Sequence, residues 1–131
     1  MTEQRIYYED TDAGGVVYHA NYLRYLERGR TEFLRERGFS VMALHEQGYL
    51  IPVMRLEIDY LSPAILDDLI RIETTVLEVT GATCTLNQKV VRVGDGETLA
   101  DARVTLACMG PGKKARRLPR NIMQALTLDK S

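Results

Sequence analysis

The sequence predicts an α+β domain: one strand, one long amphipathic helix, then four strands joined by turns too short to hold crossover helices. Apolar residues recur at helical spacing over residues 21–37. They alternate with polar ones in four later stretches, which Ser62-Pro63, Gly81 and Gly94-Asp95-Gly96 separate. Strands linked this tightly pair antiparallel, which leaves the helix to cover one face of a five-stranded sheet.

Glu3 to Tyr8 reads as the first strand, with Ile6 and Tyr8 on one side and Arg5 and Tyr7 on the other. Asp10 to Asn21, DTDAGGVVYHAN, follows as a functional loop in which adjacent Gly14 and Gly15 free the backbone to turn or to approach a ligand. From Asn21 to Arg37 the residues Tyr22, Leu26, Gly29 and Phe33 form one apolar face, with Asn21 suited to the N-cap and Gly38 to the C′ position. Gly29 costs about 1 kcal/mol relative to Ala in a helix interior, so a neighbouring backbone is expected to approach it. After a short helical stretch over 40–47, Met54, Leu56, Ile58 and Tyr60 alternate as the buried side of a strand. Further strands run through Ile70–Val76, Thr83–Val93 and Ala100–Cys108, and Gly110-Pro111-Gly112 stops the last. One helix of this length leaves edges or a face uncovered, so a homo-oligomer, dimer or tetramer, is expected.

The chain of 131 residues, 45% hydrophobic and 27% charged, has the make-up of one soluble domain spanning 1–131. Its net charge of −1 argues against a general nucleic-acid binder. The balance hides a basic C-terminal segment, 113–131, where Lys113, Lys114, Arg116, Arg117 and Arg120 fall together. It reads first as a solvated tail and second as a meeting point for phosphate. Cys84 and Cys108 lack CxxC spacing and read as reduced core residues. The polar N-terminus and the lack of any apolar run of about 18 residues predict a cytoplasmic protein with no membrane span.

Reactive side chains are densest in YYEDTDAGGVVYHAN, just before the helix. The amides of a first helical turn lack intrahelical partners and can hold a carbonyl oxygen as it becomes an oxyanion. An ionised Asp12 beside that oxygen could attack an acyl carbon or activate water. Taken alone, an Asp in a glycine-containing loop is more often a turn or capping residue, His19 could cap or pack, and Tyr8 could be a core aromatic. Asp10, Asp12 and His19 are metal-ligand types without a metal-site spacing. The segment has neither the P-loop nor the dinucleotide pattern, and no serine has GxSxG context. Glu27 lies beside the apolar stripe, suited to a pocket or to an ion pair with Arg24, Arg28 or Arg30.

YYEDTDAGGVVYHANYLRYLERGRTEFL closely resembles the signature of the hotdog-fold acyl-CoA thioesterases of the 4-hydroxybenzoyl-CoA thioesterase type, above all the Tol-Pal-associated, YbgC-like branch. The resemblance continues through IPVMRLEIDYLSPA and the later strands. It implies a hotdog fold, a sheet wrapped around one central helix, and hydrolysis of a short-chain or aromatic acyl-CoA to free acid and CoA without cofactor or metal. Asp12 matches the family's catalytic carboxylate and His19 the position whose amide faces the thioester carbonyl, with the His19 imidazole and Tyr8 completing the site. Gly15, Val16, Tyr18 and Asn21 are expected to line the substrate. Lys89, Arg92, Lys113 and Lys114 are candidates for the CoA phosphates, with Arg116 and Arg117 beside them. The family's pocket lies between two subunits, so residues around Ile58 to Ser62 of a second copy are expected to complete it. The alternatives are a non-catalytic hotdog protein that holds acyl groups or docks acyl carrier protein, and a hotdog dehydratase. The latter would want a His general base across the subunit boundary.

Overall fold

A computed structural model describes residues 2–128. Strand β1 (Thr2–Arg5) leads through a 3-10 turn (Tyr8–Asp10) and the loop to α1 (Asn21–Glu36) and α2 (Val41–Glu46). Strands β2 (Val53–Tyr60), β3 (Leu69–Val79), β4 (Thr83–Arg92) and β5 (Thr98–Ala107) follow, and α3 (Arg120–Leu128) closes the order. The five strands form one sheet in the order β1-β3-β4-β5-β2, with every pair antiparallel. The α+β architecture is as expected, but the chain is not a simple meander. Residues 61–68 carry it from β2 at one edge across the end of the sheet to β3, and β4 and β5 fill the gap.

Helix α1 lies on one sheet face, where Tyr22, Tyr25 and Leu26 pack with Ile70, Ile72, Val90, Ala100, Ala102 and Val104. A second cluster joins Phe33 and Leu44 to Val76, Cys84 and Leu86 and is capped by Ile122 and Leu126 of α3. Both cysteines are free and buried, and burial pushes the Cys84 thiol up to about 11. The opposite sheet face is polar: Lys89 stands in register between Glu73 and Asp101, and Arg103 between Asn87 and Glu57.

Five expectations need correction. Strand β1 ends at Arg5, and Tyr8 is no core aromatic: it sits on the 3-10 turn, 81% exposed. Ala20, not Asn21, is the N-cap of α1, and it makes no side-chain cap bond. Gly29 is close-packed, but against side chains: a Cβ there would stand 2.5 Å from Ile72 Cγ2 and 3.3 Å from Gln88 Nε2. On β2 only Leu56 and Ile58 are half-buried, while Met54 and Tyr60 are exposed, because this edge strand is paired on one side alone. The basic segment is no solvated tail up to residue 128. Leu118, Ile122 and Leu126 are buried, and Arg116 lies over the Tyr49 ring at 3.8 Å. Residues 129–131 lie outside the described part.

Candidate active site

The loop between the 3-10 turn and α1 folds back on itself. A bridge joins Thr11 to Val17, the Asp12 amide donates to the Val16 carbonyl at 2.9 Å, and the Gly15 amide returns to the Asp12 carbonyl at 3.0 Å. Gly15 closes this turn at φ +80, where a side chain is strained and glycine is not. The Gly14 amide donates to Asp12 Oδ1 at 2.8 Å, which fixes the carboxylate by a local Asx turn. One oxygen is thereby held, and Oδ2 has no partner among the described residues. The loop hangs on residues 61–68, where the Val17 amide donates to the Ala64 carbonyl at 2.8 Å and Val16 bridges Ile65. Ala64 is in turn gripped from the helix, its amide donating to the buried Tyr22 hydroxyl at 3.1 Å.

His19 stands at the mouth of α1. Its carbonyl accepts from the Tyr22 amide at 3.3 Å and from the Tyr60 hydroxyl at 3.0 Å, and its own amide donates to no group among the described residues. The imidazole lies between Tyr18, with ring centroids 4.5 Å apart, and Tyr60 at 6.0 Å. Tyr60 continues to Tyr22, so an aromatic row backs the helix entrance. Burial raises the pKa of the Tyr60 hydroxyl. Tyr60 was legible only as one member of an alternating strand, since its partner is 41 residues away.

Of the expected site residues, the fold brings Asp12, Gly15, Val16, Tyr18 and His19 onto one loop. Within the chain the Tyr8 ring does not join the aromatic row. The Asn21 amide group is turned to the loop itself, donating to the Asp10 carbonyl at 3.0 Å. Asp10, Asp12 and His19 form no ligand cluster, nor does any group of three or more His, Cys, Asp or Glu among the described residues. Among the basic candidates, Arg92 has four of its five N–H donors engaged: Nε donates to Asp68, Nη1 to Asp95 and Glu97, and Nη2 to the Pro63 carbonyl. It clamps the β4–β5 turn to the 61–68 segment, with no donor pair left for a phosphate. Lys89 lies on the outer sheet face, away from α1. Lys113 and Lys114 are exposed, and Lys113, at φ +59, lines the mouth of a cavity.

That cavity measures about 730 Å³ and opens between α1, α2 and the start of β2. Its walls include Leu34, Leu44, Ile51, Val53 and Met109, with Glu27 and Arg30 on the helix side. The Arg30 guanidinium is braced by Gln88, whose Oε1 accepts from it at 3.1 Å. None of Asp12, His19 or Tyr8 lines this space. The loop adjoins the Tyr60 end of β2 and the cavity the Val53 end.

The thioesterase-like superfamily model matches residues 7–126. The chain belongs to that superfamily. It is 47% identical over 123 residues to the acyl-CoA thioesterase YbgC of Haemophilus influenzae, covering 92% of this chain and 89% of that one. It is 42% identical over 120 residues to the acyl-CoA thioester hydrolase YbgC of Escherichia coli O6:H1, covering 91% and 89%. A solved structure of a probable thioesterase from Bartonella henselae superposes with a TM-score of 0.85 at 38% identity, over 90% of this chain and 97% of that one. The hotdog fold and the YbgC-like branch expected from the loop motif are thus both found, and the chain is a thioester hydrolase. No helix among the described residues is long and apolar enough to cross a membrane.

Proposed function

We propose that this YbgC-like protein hydrolyses short-chain or aromatic acyl-CoA thioesters at Asp12. The carrying observation is the Asp12 carboxylate itself, with Oδ1 held by the Gly14 amide and Oδ2 left for chemistry, one loop limb away from the unengaged His19 amide. Oδ2 either attacks the acyl carbon or takes a proton from the attacking water. The carbonyl oxygen gathers negative charge as the carbon becomes tetrahedral, and the His19 amide at the positive end of α1 is placed to receive it. Collapse breaks the carbon–sulfur bond and releases the coenzyme A thiolate, a good leaving group that needs no strong acid. Where Oδ2 has attacked, water then cleaves the resulting Asp12 anhydride and frees the carboxylate; by either route the proton lost by water passes to the thiolate or to solvent, and the products are the free acid and CoA. The YbgC relatives, which bear the names acyl-CoA thioesterase and acyl-CoA thioester hydrolase, support this substrate class.

The acyl group is accommodated in a homodimer. The outer edge of β2 is unpaired, and β2 carries the loop end at Tyr60 and the cavity end at Val53. Its eight residues span about 23 Å at roughly 3.3 Å per residue. Two copies pairing antiparallel along this edge place the Tyr60 end of each beside the Val53 end of the other, so each Asp12 faces the other copy's cavity. Lys113 and Lys114 then stand at the mouth, suited to the phosphates of CoA.

A panel of acyl-CoAs differing in chain length and aromaticity, followed by thiol release, tests this reading. Asp12→Asn is expected to lower kcat by about 10³-fold with fold and oligomer intact, since an amide oxygen still accepts from Gly14. His19→Ala, which keeps the backbone amide, is expected to cost less. Wild-type rates in Asp12→Asn would refute the assignment.

A further inference from the structure

Two polar side chains at the site face away from the space in front of Asp12. The Asn21 amide group and the Asp10 carboxylate both turn toward the loop's own backbone. The Asp10 carbonyl accepts from the Tyr18 amide at 3.2 Å and from Asn21 Nδ2 at 3.0 Å. Asp10 Oδ2 accepts from the Tyr7 amide at 2.9 Å, while the Asp10 amide donates to the Tyr7 carbonyl at 3.0 Å. One residue therefore joins the outgoing limb of the loop, its returning limb and the first residue of α1. Behind it stands the buried Tyr25 ring of α1, whose hydroxyl pKa is raised first by burial and then by the Asp10 carboxylate.

We propose that Asp10 and Asn21 are positioning residues for the hydrolysis: their clasp sets the separation between the Asp12 carboxylate and the His19 amide. The inference rests on the thioesterase reading. Asp12 lies two residues beyond Asp10 on the outgoing limb, and His19 follows Tyr18 on the returning one, so both reacting groups are referred to the Asp10 carbonyl. Removing the side-chain bonds of Asn21 and Asp10 leaves the limbs joined by the Tyr18 amide to the Asp10 carbonyl, the Asp12 amide to Val16 and the Thr11–Val17 bridge, and leaves the loop hung on Ala64. Those contacts preserve the turn around Asp12 but not its angle to the helix mouth. A misplacement of about 1 Å at a reacting group costs on the order of 100-fold in rate while leaving ground-state binding nearly unchanged. This separates positioning from the direct substrate contact expected for Asn21, whose loss would show in KM.

The test compares Asn21→Ala, Asp10→Ala and Asp10→Asn in the full chain, by steady-state kinetics on the best acyl-CoA of the panel and by hydrogen exchange over residues 11–18. Asn21→Ala and Asp10→Ala are expected to lower kcat about ten- to hundredfold with KM within about twofold, and to speed amide exchange in the loop. Asp10→Asn, whose amide oxygen still accepts from Tyr7, is expected to return to within about threefold of wild type. The proposal is overturned if Asn21→Ala raises KM with kcat intact, if kcat and exchange are unchanged, or if Asp10→Asn is as slow as Asp10→Ala. Should Asp10→Ala fail to fold, the other two variants decide. Absence of thiol release from the wild type on every acyl-CoA would remove the thioesterase reading instead. Loop exchange in Asn21→Ala would still decide whether the clasp holds.

Discussion

Gly29→Ala puts helix propensity and packing in direct opposition. Propensity alone predicts a gain, because Ala is better than Gly in a helix interior by about 0.8–1.0 kcal/mol. The structure predicts a net loss. The new Cβ would stand 2.5 Å from Ile72 Cγ2 and 3.0 Å from Ile72 Cβ, with Gln88 Nε2 at 3.3 Å. Ile72 is β-branched, stiff at χ1 and 2% exposed in the middle of β3, so it has no flexible tip to move aside. Shifting Gln88 strains the bonds its Nε2 donates to the Leu26 carbonyl and Thr74 Oγ1, both 3.0 Å. Overpacking of this kind costs about 1–3 kcal/mol, which leaves a net destabilisation of about 1 kcal/mol after the propensity gain. For a chain of this size, that lowers Tm by about 4 °C. Thermal unfolding followed by circular dichroism, with urea midpoints as a check, reads the sign directly. A rise in Tm of similar size would show that α1 does not sit this close to β3. A double-mutant cycle with Ile72→Ala adds a second criterion: Gly29→Ala should cost less in that background, and full additivity would refute the contact.

Tyr60→Phe removes the hydroxyl that braces the His19 carbonyl but keeps the ring on His19 and Tyr22, so kcat/KM is expected to fall about three- to tenfold, well short of the Asp12→Asn loss. Unchanged kinetics on the acyl-CoA panel would show that this bond does not orient the helix mouth. Tyr25→Phe deletes a buried hydroxyl that faces the Asp10 carboxylate without a hydrogen bond of normal length among the described residues, so stability is expected to change by no more than about 1 kcal/mol, read as the urea midpoint. A loss above about 1 kcal/mol would mean that the hydroxyl has a stronger partner than the fold shows.

The parts of the fold legible in the sequence are those in which local periodicity and burial agree. Helix α1 buries Tyr22, Leu26, Gly29 and Phe33 on one face and ends at Gly38, which adopts φ +86 as its place past the last turn requires. Strands β3, β4 and β5 carry the alternation that α1 on one face produces, broken where the register shifts at Val76/Glu78 and Val90/Val91. Strand β2 has the same alternation but not the same burial, since a pattern of apolar residues records what a strand packs against without telling whether the cover comes from its own chain. Helix α3 was hidden for a different reason. Its apolar signal is a single buried pair one turn apart, Ile122 and Leu126, preceded by five cations that dominate any reading by composition. The path from β2 to β3 is not legible in the sequence, because loop length bounds what a connection can contain. It does not bound where an eight-residue link can run.

The candidate site divides along the same line. Asp12, Gly14 and Gly15 are readable in order because their interactions are local: the carboxylate bonds an amide two residues on, and the turn closes at the next glycine. His19 is readable because a helix begins two residues later. What orients these groups comes from far along the chain, through the Ala64 carbonyl, the Tyr22 hydroxyl and the Tyr60 hydroxyl, and no spacing rule joins residue 19 to residue 60. The cavity is a step further removed. It lies at the opposite end of β2 from Asp12, and neither Asp12 nor His19 lines it. The proposed antiparallel pairing of two copies along the β2 edge would bring each Asp12 to the other copy's cavity, because it exchanges the two ends of the strand. The exposed Met54 and Tyr60, which look like failures of the alternating pattern within one chain, are what a strand buried by a second copy would carry.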